Sequence, residues 1–114
     1  MKDAFGKRLR KLRETKRPDL SLRELAKIAN VAPAYLSAIE RGEQRASDDA
    51  VSAIAKALGE NPDILLMMGG RVSKHLQELI CKRPELWAEL IAKIDKMPDH
   101  AILRVVREVQ DGKW

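Results

Sequence analysis

With 114 residues and a net charge of +5, the chain has room for one ordinary domain, or for a compact domain of about 65 residues and a smaller appendage. Only 4% of the residues are aromatic, so the core must be built from Leu, Ile, Val and Ala, which favours helices over sheets. The single cysteine, Cys81, excludes an intramolecular disulfide and a cysteine-rich metal site, and we expect a buried thiol.

The positive charge is concentrated at the front of the chain. Residues 1–45 carry twelve basic and six acidic side chains, a net charge of +6, whereas residues 46–70 give −3 and residues 71–114 give +2. A local basic surface suits a polyanion, since each neutralised phosphate releases counterions, but it equally fits a solvated helix face. The first residues are charged and no apolar run approaches the roughly 20 residues of a membrane span, so we expect a cytoplasmic protein without membrane contact.

The first two helices have clear beginnings and ends in the sequence. Phe5, Leu9 and Leu12 form the apolar stripe of a first helix, whose other faces are mostly basic. It ends before Pro18. Ser21 and Glu24 have the spacing of a capping box, which begins a short second helix. Asn30 tolerates the left-handed backbone of a tight turn, so we expect that helix to stop there.

Three further helices complete the first part of the chain. The third is predicted to begin at Pro33, because proline is tolerated in a first turn, and to end before Gly42. Ser47 is a favourable N-cap for a fourth helix, which closes at Gly59. The fifth begins around Pro62.

Gly69 and Gly70 form the clearest break in composition, and we place a domain boundary there. Residues 71–114 predict three more helices, with Pro84 and Pro98 opening the last two. Each has one apolar face, and about 44 residues cannot bury three such faces alone, so we expect them to pack on the first domain or on another copy of themselves. The predicted interface residues are Leu76, Leu79, Ile80, Trp87, Leu90, Ile91, Ile94, Ile102, Val105, Val106 and Val109.

Residues 21–42 carry the most informative motif. Glu-Leu-Ala in the second helix, Tyr-Leu-Ser-x-Ile-Glu-x-Gly across the third and Ala-Leu-Gly closing the fourth closely resemble the phage Cro and CI repressor-like (XRE) family of helix-turn-helix proteins. The resemblance covers roughly residues 5–68 over five helices. It implies an all-α fold with a five-helix lambda-repressor-like DNA-binding domain at residues 1–68. The apolar faces of the later helices, and not the resemblance, predict a C-terminal helical dimerisation module at residues 71–114.

The resemblance also implies which residues contact double-stranded DNA. It places Ala32–Ala38 on the recognition helix, where the base-reading positions are Pro33, Ala34, Ser37 and Ala38. Neighbouring polar candidates are Tyr35, Gln44 and Arg45. Phosphate contacts are expected from Arg23, Arg41, Gln44 and Arg45. Arg13 corresponds to an arginine that the family pairs with a glutamate, here Glu40, which would orient Arg13 toward a phosphate.

Two residues next to the recognition helix depart from the family pattern without defeating the fold. Asn30 replaces the usual turn glycine, and Ala32 replaces the Ser or Thr that commonly caps the recognition helix. The base-reading positions are also mostly small, so they cannot make the bidentate contacts that distinguish guanine or adenine. We therefore expect specificity to come partly from DNA shape and deformability.

An enzyme is not expected, because the chain lacks a glycine-rich phosphate loop, a Gly-x-Ser-x-Gly elbow and a His-Glu-x-x-His motif. His75 and Cys81 fall on different faces of their helix, so neither a metal site nor a cofactor is predicted. Trp87 and Trp114 suit core or interface anchors. No motif indicates a small-molecule effector site.

The predicted function is a DNA-binding transcription regulator, a repressor acting as a homodimer on a pseudo-palindromic operator. Activation from the same scaffold stays open. The alternative is an interaction protein, such as an antitoxin that holds a toxin or a regulator disabled by a protein antagonist, since the same C-terminal faces would serve it. We favour self-association because closed two-fold dimers are the commonest oligomers.

Overall fold

The computed structural model describes the backbone of residues 2–112 and the side chains of residues 4–112, so the predicted anchor Trp114 lies outside the described residues. The regular elements in this range are helices, as predicted for an all-α chain. They are α1 (Lys2–Lys16), α2 (Leu22–Ala29), α3 (Pro33–Glu40), α4 (Asp48–Leu58), α5 (Pro62–Met68), α6 (Lys74–Lys82), α7 (Pro84–Ile94) and α8 (Asp99–Asp111). Contacts divide the chain into two compact units, Met1–Leu76 and Gln77–Trp114.

The first unit has one aliphatic core to which all five of its complete helices contribute. The largest fully buried side chains are Leu9, Leu25, Leu36, Ile39, Val51, Ile54 and Leu65. Helix α4 packs against α2 and α5, and α3 packs against α1 and α2. Because truncating a buried leucine to alanine typically costs about 2–5 kcal/mol, this core supplies much of the stability of the unit.

Local capping residues set the helix boundaries that the sequence predicted. The Ser47 hydroxyl accepts the Ala50 backbone N–H at 3.1 Å and begins α4, and Gly59 ends it with a left-handed φ of 72°. The Asn61 side chain accepts the Asp63 N–H at 2.8 Å at the start of α5. Each contact satisfies a backbone group that the helix end leaves without an intrahelical partner.

Helices α1 and α3 approach each other closely at Gly6, which is buried. A Cβ added at Gly6 would lie 2.5 Å from the carbonyl oxygens of both Ile39 and Glu40. Only glycine therefore fits at this crossing, and the sequence pattern of α1 had not indicated it.

The chain remains attached to the first unit beyond the predicted boundary at Gly69 and Gly70. The Arg71 N–H donates to the Leu66 carbonyl at 2.9 Å, and the Arg71 guanidinium pairs with Asp48 at 2.7 Å. These contacts place the division of the chain within α6, later than the glycine pair. The separate roles of residues 1–68 and 71–114 stay a prediction.

The three C-terminal helices form without a buried core among their described residues. Helix α7 begins at Pro84 as predicted, whereas Pro98 caps α8 and Asp99 is its first helical residue. None of the residues of α6, α7 and α8 is buried. The expectation of a buried thiol is wrong, because Cys81 has no core around it and is exposed. Among the described helices, none combines the length and hydrophobicity needed to cross a bilayer.

Candidate nucleic-acid interface

The turn between α2 and α3 is defined by contacts at both ends of α2. The Ser21 hydroxyl accepts the Glu24 N–H and a Glu24 carboxylate oxygen accepts the Ser21 N–H, each at 3.1 Å, so the predicted capping box is confirmed. At the other end, Asn30 adopts a φ of 57°, and the Val31 N–H donates to the Ala26 carbonyl at 2.9 Å. This left-handed closure fixes the direction in which the chain enters α3.

Helix α3 presents small side chains on one face. Pro33 and Ala34 are exposed, and Ser37 and Ala38, one turn further along, are half-buried on the same side of the helix. Ala32 is the N-cap and makes no side-chain cap hydrogen bond, as its chemistry predicts. A face of this kind lets the helix backbone approach a binding partner closely.

Arg13 and Glu40 form the ion pair that the family resemblance implied. Arg13 Nε lies 2.9 Å from Glu40 Oε2, and Arg13 Nη2 lies 2.9 Å from Glu40 Oε1, so the contact is bidentate. The two side chains are 13% and 5% exposed, respectively. The hydrogen bond to Glu40 raises the pKa of Arg13 above its ordinary value, against a smaller opposing effect of burial. Arg13 is therefore held as a rigid cation between α1 and α3.

A cavity of about 270 Å³ opens beside this pair. It is lined by Arg10, Arg13, Leu22, Ser37, Glu40 and Arg41. Its lining therefore combines three arginines and a serine with a single acidic residue, Glu40, which is paired with Arg13. The cavity therefore suits an oxygen anion such as a phosphate.

Arg10 is a candidate that sequence reasoning missed. Its guanidinium is exposed and pairs with Glu14, one turn further along α1, at 3.0 Å. The spacing of Arg10 and Arg13 puts both on the same face of α1, and this signal was present in the sequence. Recognising it required knowing that this face of α1 borders Ser37 and Arg41.

The structure gives the remaining cationic and polar candidates different surroundings. Arg23 and Arg45 are exposed. Arg41 is 60% exposed, and its Nε lies 2.9 Å from a Glu43 carboxylate oxygen. The Gln44 amide donates to the Arg45 carbonyl at 3.2 Å, which orders the loop after α3. These side chains remain available to a partner at the surface.

Tyr35 has a structural contact that the sequence did not predict. Its hydroxyl oxygen accepts the Ser47 backbone N–H at 3.0 Å, and its ring packs against the core. The residue therefore ties α3 to the beginning of α4. The hydroxyl can still donate its hydrogen, so a role in DNA contact stays a prediction for Tyr35.

The predicted interface residues of the C-terminal helices are all at least partly accessible. The exposed ones are Leu79, Leu90, Ile91, Val106 and Val109. The half-buried ones are Leu76, Ile80, Trp87, Ile94, Ile102 and Val105. Leu86 and Leu103 are also exposed, at 66% and 53%, although the sequence analysis did not include them. The apolar surface is therefore broader than a single stripe on each helix.

Two short helices joined by a tight turn, with a small-residue face beside a cluster of arginines, define a helix-turn-helix protein. The helix-turn-helix family model HTH_3 matches residues 9–65, and the chain belongs to this family. The predicted family is thereby confirmed.

Similar proteins of known sequence carry the same motif. The chain is 40% identical over 65 residues to "Uncharacterized HTH-type transcriptional regulator Rv0474" of Mycobacterium tuberculosis, and a second strain of that species has an equally similar protein. The match covers 57% of this chain and 45% of each relative. The chain therefore spans less than half the length of the curated relatives that it matches.

Similar solved structures are those of two bacterial regulators. The restriction-modification controller protein C.AhdI from Aeromonas hydrophila is 35% identical with a TM-score of 0.51, covering 55% of this chain and 92% of that one. One structure of the clp gene regulator ClgR from Corynebacterium glutamicum is 36% identical with a TM-score of 0.51, covering 63% and 91%. A second ClgR structure is 29% identical with a TM-score of 0.52, covering 78% and 88%.

Proposed function

We propose that this protein is a cytoplasmic, non-enzymatic transcription regulator that binds double-stranded DNA and represses by occupying an operator. The observation that carries the proposal is the position of the arginine-lined cavity next to the small-residue face of α3. A helix-turn-helix protein needs this combination, since α3 must enter the major groove while nearby cations contact the phosphates on either side. The relatives named as regulators support the same role.

We assign the phosphate contacts to Arg10, Arg13 and Arg41, which line the cavity, and to the exposed Arg23 and Arg45. Arg13 is the most rigidly held of these, because its bidentate pair with Glu40 leaves little side-chain freedom to lose on binding, and 13% of its side chain is exposed. Neutralising several phosphates releases counterions, so affinity should fall steeply with salt.

The base contacts come from the outer face of α3. Ser37 can form a hydrogen bond with a base edge, and Ala34 and Ala38 can contact a thymine methyl group. No side chain at these positions can make a bidentate contact, each of which gives about 1–3 kcal/mol of discrimination. We therefore assign part of the specificity to the sequence-dependent shape and deformability of the operator.

We assign homodimerisation to residues 71–114. The unburied apolar faces of α6, α7 and α8 need a covering surface, and a two-fold partner supplies an identical one. A symmetric dimer would set two copies of α3 in successive major grooves, about 34 Å apart, on a pseudo-palindromic site.

The DNA-binding role is tested by fluorescence anisotropy of a labelled duplex titrated with protein at several salt concentrations. Arg41→Ala should weaken binding to all sequences and reduce the slope of log affinity against log salt by about 1. Lys56→Ala is the matched control, because Lys56 is an exposed cation on α4 away from the cavity. Equal salt slopes for the wild type and both variants would remove Arg41 from the interface.

The dimer is tested by sedimentation of the full chain. Trp87→Ala should shift the chain toward monomer, whereas Lys93→Ala, an exposed change on the same helix, should not. A monomeric wild type that binds a separate protein through these helices would instead support the toxin or antagonist alternative. That outcome would refute the homodimer.

A further inference from the structure

A second cavity, of about 420 Å³, lies in the first unit, away from the Arg13–Glu40 pair. It is enclosed by the beginning of α1, the loop between α3 and α4, and the segment that follows α5. This volume falls within the 300–1,000 Å³ typical of small-molecule sites. No sequence motif indicates this cavity, because the three segments are far apart in the chain.

The floor of the cavity is apolar. It is formed by Phe5 and Met68, both half-buried, whereas Ile39 borders the cavity but is only 1% exposed. Gly69 and Gly70 also line the cavity and contribute no side chains to fill it. The Phe5 ring lies 3.3 Å from where a Cβ of Gly69 would stand, so a side chain at position 69 would contact the ring.

Three arginines, Arg8, Arg45 and Arg71, line the same cavity. Arg71 is fixed by Asp48 at 2.7 Å and is only 15% exposed. Arg8 and Arg45 are exposed, and neither forms an ion pair with any other side chain among residues 4–112. Of the described residues that line the cavity, none has a carboxylate.

We propose that this cavity binds a small organic anion, with its apolar body on the Phe5 floor and its carboxylate between Arg8 and Arg45. Arg8 and Arg45, which have no acidic partner among residues 4–112, call for an anionic group, and the floor calls for a hydrocarbon or aromatic body. A DNA phosphate would satisfy only the cations, since an ionic diester gains nothing from an apolar surface. The occupant is therefore an amphipathic acid.

Binding of this acid opposes DNA binding, and this second step rests on the proposed function. Arg45 lines the cavity, and it is also one of the arginines to which the proposed function assigns a phosphate contact. A carboxylate held by Arg45 places a negative charge where a DNA phosphate has to approach. The acid thereby acts as an inducer that releases the operator.

The cavity is tested with octanoate as the probe, using two-dimensional NMR of the full-length protein without DNA. Octanoate should shift the amide signals of the residues that line the cavity, and uncharged 1-octanol should bind at least about tenfold more weakly. The double variant Arg8→Gln/Arg45→Gln should lose about tenfold in octanoate affinity. Lys7→Gln/Lys56→Gln removes the same charge from exposed positions outside the cavity and should bind octanoate as the wild type does.

Equal affinity for octanoate and 1-octanol, unchanged binding by the arginine variant, or shifts confined to α7 and α8 would each overturn the cavity assignment. So would the absence of shifts at millimolar octanoate. In a separate arm, octanoate should weaken binding to a labelled duplex, and unchanged DNA affinity at saturating octanoate would overturn the inducer step. A protein that binds octanoate as described but binds no DNA would contradict the proposed function and leave the cavity assignment supported.

Discussion

Replacing Gly6 with alanine should destabilise the first unit, although alanine is the better helix former. In an open helix interior, the change from glycine to alanine stabilises by roughly 0.5–1 kcal/mol. At Gly6 the new Cβ would meet two carbonyl oxygens of α3 at 2.5 Å, whereas real Cβ contacts essentially never fall below 3.0 Å. The obstructing atoms belong to helix backbone, so α1 and α3 must separate as whole helices by about half an ångström.

Overpacking of this kind typically costs about 1–3 kcal/mol, and two backbone oxygens at 2.5 Å favour the upper half of that range. After the roughly 0.5–1 kcal/mol gained from alanine, Gly6→Ala should be net destabilising by about 1–2.5 kcal/mol. For a unit of this size, the melting temperature should fall by about 4–8 °C for each kcal/mol. Urea unfolding followed by circular dichroism measures the effect. Hydrogen exchange of the buried Leu36 and Ile39 amides reports the first unit by itself.

Lys7 supplies the matched control, because it is exposed on the same helix. The Lys7→Ala protein should be more stable than the Lys7→Gly protein, because alanine is the better helix former. This difference measures the alanine preference at a position of α1 where no close contact with α3 opposes it. A Gly6→Ala protein as stable as the wild type, or more stable, would refute the close approach of α1 and α3.

Three further predictions concern single residues. Ala32→Ser should stabilise the protein by about 1 kcal/mol, because a hydroxyl at this N-cap can accept a free backbone N–H of α3; an unchanged urea midpoint would contradict this. Asn30→Ala should lower the free energy of unfolding by about 1 kcal/mol, since alanine resists the φ of 57°, and equal thermal stability would refute a left-handed turn. The Asn61 N–H and then Lys16 lower the pKa of Glu60, so its contribution is present above its ordinary pKa and is lost as the pH falls through the lowered value. The stability difference between the wild type and Glu60→Gln should therefore shrink below about pH 4.3. A constant difference from pH 7 to pH 3 would argue against the contacts of Glu60 with the Asn61 N–H and Lys16.

Most of the local structure of the first unit could be predicted from the sequence, because its signals are short-range. The capping box at Ser21, the turn at Asn30 and the start of α3 at Pro33 each depend on residues within one or two turns of one another. Leu36 and Ile39, the buried apolar residues of α3, also have the three-residue spacing of one helix face, which is visible in the sequence. These local signals lie in the same segment of the chain as the residues that carry the family resemblance.

Features that join distant parts of the chain could not be predicted in this way. The need for glycine at position 6 depends on the carbonyl groups of α3, and the contact between Tyr35 and Ser47 depends on how α3 meets α4. The role of Arg10 depends on which face of α1 borders Ser37. Periodicity identifies the buried face of a helix, but it does not identify which residues of other helices pack against that face.

The expectation for Cys81 failed for a related reason. A lone cysteine is most often buried, but that tendency assumes that a core exists around it. None of the described residues of the C-terminal helices is buried, so the thiol is exposed together with the apolar side chains nearby. The exposure of these apolar side chains is also the observation that supports the proposed interface on these helices.

The central claim is that a symmetric dimer recognises DNA through its two α3 helices. The most direct test is to select bound duplexes from a randomised pool at near-physiological salt with the full-length protein. The proposed function predicts enrichment of an inverted repeat whose half-sites lie about ten base pairs apart. Selected duplexes without a common sequence, together with an affinity that falls equally for all duplexes as the salt concentration rises, would contradict the claim.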